Sequence, residues 1–500
     1  MGKPQNVIAA LYESRDPNSV LFIEPDGRSL TTREAFERIK HFAGVVASLG
    51  VVPGDRVSFR IEKGTDGILL IHGCLWAGAI VHPLNNAYTD HELGALLTDA
   101  QPTLLFCGSD ERSRLEPLAR NAGANLEVFP TAVTNASIAV LGTARMPPDA
   151  DGAAALLYTS GTTGKPKGAV VTHQNLLHSA RSLATVWQLT KDDVLAHPLP
   201  IFHAHGLLTS INTMIASGGS ILLLPSFDVA AVLSAFLRCT VLMGVPTHYS
   251  RLLDGLSFWV GSEANLRLAI SGSAPLSTDL SRKFAATTGV DIIERYGSTE
   301  AAIVVAVPPG EHTERVGWVG WPLPEVEIRI SDKDGRRSPR GIGVLETRGP
   351  HVFAGYWQNP HATADAFTTD GWFITGDIAE IDETNCVRIL GREKDLVISG
   401  GLNVYPAEVE EQLRRIDGIK DVAVFGVPHS DFGEAVVAAV ELSAPITDFD
   451  ETLVIAAVRS RLAAYKIPKR IFAVSELPRN AMGKLLKARL REDHSGTFCR

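Results

Sequence analysis

From Leu156 the chain passes out of an apolar run into Tyr158-Thr159-Ser160-Gly161-Thr162-Thr163-Gly164-Lys165-Pro166-Lys167-Gly168, a stretch of small, hydroxylated and basic residues. Glycines let successive backbone N–H groups converge on an anion, hydroxyls add donors and lysines add charge, which is the chemistry of a phosphate cradle. Gly, Thr and Lys also make ordinary polar hairpin turns, and composition alone leaves that reading open. The lysine spacing does not fit the G-x-x-x-x-G-K-[ST] loop, and Ala169-Val170-Val171-Thr172 reads as strand where that loop needs a helix, so a P-loop NTPase is rejected. The loop therefore lies between two strands.

Four further stretches carry groups able to act on a nucleotide. Glu294-Arg295-Tyr296-Gly297-Ser298-Thr299-Glu300 sets an aromatic ring beside two hydroxyls and a carboxylate, the means to stack a base and to hold a phosphate-bound Mg²⁺. Taken alone, it reads more simply as a capped helix start with solvated charge. Asp377 follows a glycine at Thr375-Gly376-Asp377, and Arg392 does so at Gly391-Arg392; such groups suit ribose hydroxyls and phosphates, yet singly they are more often turn residues or surface charges. Lys484 follows a glycine turn in Asn480-Ala481-Met482-Gly483-Lys484, where a solvated tail charge is the simpler reading. His203-Ala204-His205 has the makings of a metal pair but no third ligand near it in sequence.

The elements that must position these groups alternate. Thr31-Thr32-Arg33-Glu34 opens a helical period with Thr31 as N-cap, and Gly50 closes it; Arg56 to Ile61 alternates as a strand, and Gly67 to Gly78 reads as a buried helix. Val194 to Pro200, Val241 to Pro246 and Leu268 to Ser273 are apolar runs ending in polar or turn residues, as buried parallel strands do; ligands of such sheets gather beyond the strands' carboxyl ends. After Gly317 shorter alternating strands suggest a β-rich subdomain, and beyond Gly391-Arg392-Glu393-Lys394-Asp395 the remaining residues are enough for a small separate domain. The expected architecture is α/β: a large N-terminal domain (1–392) of layered α/β subdomains plus a β-rich part, and a small mobile α+β domain (393–500) with a hinge near Lys394.

A chain of 500 residues that is 45% hydrophobic can bury more than one core. Its net charge of −9 opposes binding to a phosphate backbone, so nucleic acid is not an expected partner. The five cysteines are scattered and never spaced C-x-x-C, which fits a reducing compartment. No apolar span is long enough for a membrane helix and no secretory leader is apparent, so a cytoplasmic location is expected. Oligomeric state stays open.

Taken together and in this order, the phosphate loop, His203, Gly272-Ser273-Ala274-Pro275, Tyr296-Gly297-Ser298-Thr299-Glu300, Thr375-Gly376-Asp377, Gly391-Arg392-Glu393-Lys394-Asp395 and Asn480 to Lys484 closely resemble the adenylate-forming superfamily of acyl-CoA synthetases, luciferases and adenylation domains. The resemblance covers nearly the whole chain. It implies a ligase in which a carboxylate attacks the α-phosphorus of ATP, giving an acyl-adenylate and pyrophosphate, after which coenzyme A displaces AMP. Such chemistry asks for positioning and charge neutralisation rather than a protein nucleophile. By the same resemblance Thr159, Ser160, Gly161, Thr162, Thr163, Gly164 and Lys167 hold the ATP phosphates, Tyr296 stacks on the adenine near Gly272, Ser273 and Ala274, and Glu294 and Arg295 count among the ATP-binding residues. Thr299 meets the α-phosphate, Glu300 helps hold Mg²⁺, and Asp377 and Arg392 hold the ribose. Lys484 bridges carboxylate and α-phosphate, Lys394 is the pivot, and Gly400 and Gly401 lie at the CoA tunnel.

Within the superfamily the segments Pro200 to Leu207, Met243 to Thr247, Ile270 to Leu276 and Glu294 to Gly297 look most like malonyl-CoA synthetases. That resemblance places His203 and Ser298 at the acid and Arg282 on its distal carboxylate, which needs a guanidinium if it is to be buried. Ser298-Thr299-Glu300-Ala301-Ala302-Ile303-Val304 departs from the family pattern by being smaller and more apolar, leaving room for methylmalonate or a larger acid. The rivals are a ligase for fatty or aryl acids, an enzyme that loads a carrier protein, and a non-catalytic nucleotide-binding homologue.

Overall fold

The helix that opens at Thr32 shows how closely local chemistry sets the elements. Thr31 caps it through a reciprocal capping box with Glu34, the apolar stripe Ala35, Ile39, Phe42, Val45 and Val46 is buried, and Gly50 leaves it at φ 89°. The computed structural model describes residues 6–130, 152–159, 166–256, 264–311, 315–399, 402–429, 431–443, 449–459, 461–479 and 484–498. The chain divides into two compact units, residues 1–276, 280–327 and 347–373 in one, and 277–279, 328–346 and 374–500 in the other. The β-rich segments after Gly317 thus group largely with the C-terminal residues.

The first unit holds two mixed sheets. One has seven strands in the order Gly355–Tyr356, Lys167–Thr172, Ala153–Thr159, Ile80–Pro83, Arg56–Arg60, Leu104–Cys107 and Asn125–Val128. Ala153–Thr159 and Lys167–Thr172 pair antiparallel with Thr159 opposite Lys167, so the glycine-rich loop does join two strands. Apart from Asp66 in its first turn, which stays exposed and pairs with Arg38, the helix Thr65–Trp76 is buried along its length, as its apolar composition requires.

The other sheet has nine strands. Val20–Ile23, Ser220–Leu223, Val194–His197, Val241–Gly244, Leu268–Ser271 and the start of Ile292–Ser298 lie parallel, and antiparallel strands close both edges. Tyr249, Phe236, Phe284 and Leu252 pack beneath it with Ala269 and Leu242. The three apolar runs ending in polar residues are thus neighbouring parallel strands, and their carboxyl ends share one rim. Ser298-Thr299-Glu300 does not start a helix: the chain leaves a strand there and turns into Ala302–Ala306.

The second unit contains most of a five-stranded sheet (Arg337–Ser338, Glu327–Ser331, Gly341–Arg348, Phe373–Ile381, Val387–Arg392). A separate sheet pairs the long hairpin Ile419–His429 and Gly433–Leu442 with Val397–Ser399 and Arg470–Val474, packed on Pro406–Arg414 and Lys487–His494.

Candidate active site

The strand Ile292–Ser298 puts two ionisable groups on opposite faces. Successive strand residues alternate, and the parallel register Met243↔Ile270↔Ile293 sets Gly272 and Arg295 on one face of the sheet and Glu294 on the other. Arg295 is buried against Gly272, where a Cβ would stand 2.5 Å from the guanidinium carbon. Its Nε has no hydrogen-bond partner among the described residues, and burial lowers its pKa to about 10. Glu294 accepts from the backbone of Leu276 and Gly317, but burial outweighs those bonds and raises its pKa to about 8, so the carboxyl is protonated at neutral pH.

The histidines lie on Arg295's face. His205 N–H donates to His203 Nδ1 at 3.2 Å, and His205 Nδ1 meets Ser273 Oγ at 3.2 Å. Ser273 itself takes φ 69°, a left-handed backbone that turns its hydroxyl off the strand end. His205 to Ser210 winds as a π-helical turn, and Gly206 approaches so closely that a Cβ there would lie 2.1 Å from Pro200 O. His197 Nε2 bonds Gly206 O at 3.0 Å. Burial first, and Arg295 second, hold His203 at about 4 and His205 well below the usual range, so both rings are neutral. His248 is held at about 4 by burial, Arg251 and Lys63, and it stacks on Phe227 with centroids 4.0 Å apart.

A second group of side chains gathers near the glycine-rich loop. Thr159 Oγ1 donates to Glu300 Oε1 at 3.3 Å, and Tyr356 Oη donates to the same oxygen at 3.1 Å. Lys167 Nζ sits 5.1 Å from the Tyr356 ring centroid. A single carboxylate flanked by hydroxyls fits Mg²⁺, which keeps waters and phosphate oxygens in most of its positions. Tyr356 escaped notice in the sequence because its signal is long-range: Gly355–Tyr356 pairs with Lys167–Thr172 across the chain. Tyr296 and Thr299 are half-buried at the same strand end, and Ser298 Oγ accepts from Ala301 N at 3.1 Å. Ala274 follows Ser273, while Ser160 to Gly164 and Gly400 and Gly401 lie outside the described residues.

In the second unit Asp377 and Arg392 face each other in antiparallel register, joined by an ion pair of 2.7 Å. Lys484 keeps an exposed surface, yet its surroundings strip enough hydration to lower its pKa; Arg392 adds to that effect and Asp377 opposes it. Lys394 and Asp395 are neighbours of the same ammonium. Arg282, in contrast, lies on the exposed face of the helix Thr278–Thr288, whose Ser281 and Phe284 are buried, and among the described residues it makes no hydrogen bond or ion pair. Among the described residues no cluster of His, Cys, Asp and Glu has the form of a metal site.

A parallel sheet with polar loops on one rim and a carboxylate–hydroxyl–lysine group beside a glycine-rich loop is the architecture of an enzyme that activates acids with ATP. Residues 11–357 match the AMP-binding enzyme family and residues 408–484 match its C-terminal domain. The chain belongs to the AMP-binding enzyme family of the adenylate-forming superfamily. It is 35% identical over 473 residues to feruloyl-CoA synthase from Amycolatopsis sp, covering 93% of this chain and 94% of that one. With the mitochondrial malonate–CoA ligase of Mus musculus it shares 34% identity over 511 residues, covering 92% and 86%. The crystal structure of ATP-bound MatB from Rhodopseudomonas palustris superposes with a TM-score of 0.92 at 41% identity, covering 99% of both chains. The protein is an ATP-dependent, AMP-forming acid:CoA ligase that uses ATP, Mg²⁺ and coenzyme A. No described helix is long and apolar enough to cross a membrane.

Proposed function

We propose that the acid is malonate or a close relative such as methylmalonate, so that the product is a short dicarboxylic acyl-CoA. The observation that carries this reading is a set of orphaned buried polar atoms around the carboxyl ends of these strands, close to His203 and His205. Arg295 Nε, His197 Nδ1 and His248 Nδ1 have no partners among the described residues. Native proteins leave few such atoms, and a cluster of them at the carboxyl ends of parallel strands points to a polar ligand. Arg295 also makes the wall cationic. Relatives that act on malonate agree with this reading, and the feruloyl-CoA synthase supports an aryl acid as the second one, which the Phe227–His248 stack also favours.

In the adenylation step we assign Thr159 and Lys167 to the ATP phosphates, with the Ser160 to Gly164 loop, and Thr299 to the α-phosphate. Glu300 takes Mg²⁺, which neutralises phosphate charge when bound. Tyr296 stacks on adenine beside Gly272 to Ala274, and the Glu294-Arg295 pair supports that strand end. Asp377 and Arg392 take the ribose, and Lys484 supplies an ammonium to the carboxylate and α-phosphate oxygens as charge builds there. His203, neutral, positions the acid with Ser298. Lys394 is the proposed pivot of a mobile domain 393–500, with Gly400 and Gly401 at the thiol's approach. Four described cysteines are buried free thiols, which suits a cytoplasmic location.

Two guanidiniums are candidates for the distal carboxylate: Arg282 from the sequence, and Arg251, which stands beside His248. An acid panel scored by pyrophosphate release tests the reading. Malonate is expected to outrun propionate, ferulate and fatty acids, and a preference for an aryl or fatty acid would overturn it. Arg282→Leu and Arg251→Leu then distinguish the two residues, since the one that holds the carboxylate loses kcat/KM for malonate by about 10²-fold or more.

A further inference from the structure

Lys63 is an ammonium with too few partners. It lies just past the strand Arg56–Arg60, and its Nζ donates to His197 O at 2.7 Å. An ammonium carries three N–H donors. Among the described residues Lys63 makes no other hydrogen bond and no ion pair. Burial lowers its pKa to about 7. Its charge is felt by His197 and by His248, the two rings whose buried Nδ1 atoms are themselves orphaned, and no carboxylate contributes to the balance at either ring or at Arg295.

A bland role is available: Lys63 bridges the seven-stranded sheet, which holds Arg56–Arg60, to the end of Val194–His197 in the nine-stranded one. That latch needs one donor and no charge. A part-buried cation with no acid beside it costs free energy, and part of that cost is recovered when an anion arrives. We infer that Lys63 shares the distal carboxylate of a short dicarboxylic acid with the guanidinium proposed above, and that its charge sets the preference for dicarboxylic over monocarboxylic acids of the same length. The inference rests on the short-dicarboxylate reading above and adds the residue that enforces it. The second carboxylate brings the missing counter-charge, and its lone pairs meet the two free N–H groups of Lys63. Lys63 shares the neighbourhood of the proposed acid site, because His205 touches Ser273 on one side and neighbours His197, whose carbonyl holds Lys63, on the other.

The test uses the whole enzyme with three variants: Lys63→Met, Lys63→Gln and Lys63→Arg. Glutamine keeps a donor for His197 O and removes the charge, so it isolates the latch; arginine keeps the charge. The readouts are kcat/KM for malonate and for propionate, KM for ATP, and the rise in melting temperature caused by malonate. The expected result is that Met and Gln each cut the malonate-to-propionate ratio by about 10²-fold, with the loss in KM for the acid rather than for ATP, and abolish the malonate-induced shift, while Arg retains part of both. A Gln variant that keeps the wild-type ratio overturns the assignment of Lys63 and leaves the dicarboxylate reading standing. A wild-type enzyme without preference for malonate over propionate overturns both.

Discussion

Glu294 and Arg295 are adjacent in sequence and meet opposite surroundings, because a strand sends one to each face of the sheet. Sequence alone offered them as a pair of ATP contacts; the fold makes one a buried neutral acid and the other a buried cation. The difference is legible only once the register is known. Glu294 yields a pH prediction whose sign follows from its raised pKa. Between the ordinary value of 4.5 and about 8 the folded protein keeps a proton that the unfolded chain loses. Stability should therefore fall as pH rises through that window, with a slope approaching ~1.4 kcal/mol per pH unit. Urea melts at several pH values should show this slope in the wild type and a flatter profile in Glu294→Gln; equal slopes would refute it. Glu300 gives a second prediction. Its carboxylate faces the Thr159 and Tyr356 hydroxyls, so Glu300→Gln should raise the Mg²⁺ concentration needed for half-maximal pyrophosphate release and lower kcat by about 10²-fold or more, while leaving the fold intact.

At the scale of elements the sequence was most readable where one local rule sufficed. Thr31 and Glu34 announce a helix start, and the structure has the full capping box. Thr31→Ala should cost about 0.5–2 kcal/mol in chemical denaturation without touching activity, since the cap is exposed and distant in chain from every proposed ligand group. The apolar runs ending at His197, Gly244 and Ser271 became adjacent parallel strands as their composition indicated. Ser298-Thr299-Glu300 misled in isolation because a hydroxyl followed by a carboxylate also begins helices. The deciding influence is the strand that returns directly after it: Gly297 packs so tightly there that a Cβ would lie 1.8 Å from Ala302 O. Lys63, His248 and Tyr356 were missed because each gains meaning from a residue far away in the chain, and Arg251 enters only through its place beside His248.

At the scale of the whole molecule, Asp377, Arg392 and Lys484, all assigned to the proposed chemistry, belong to the second unit. Lys484→Ala should lower carboxylate-dependent pyrophosphate release by roughly 10²- to 10³-fold and spare thioester formation from supplied acyl-adenylate. Unchanged release would remove Lys484 from the first step. Lys394→Pro should separate the half-reactions by restricting the backbone at the proposed pivot, and equal loss of both would count against a pivot there.

The missing side chain at Gly272 has a meaning for how this enzyme could change its diet. Any Cβ there strikes the Arg295 guanidinium, so the wall that the cation leans on cannot be altered stepwise without first displacing the charge. Gly206 and Gly297 are closed more firmly, by backbone oxygens that cannot swing aside as a side chain can. Variation that retunes the acid is thereby channelled to the side chains around this frame, such as Phe227, Arg251 and Ala301. A mutant library confined to those positions should yield new specificities with few unfolded members, whereas one that includes the three glycines should be dominated by losses.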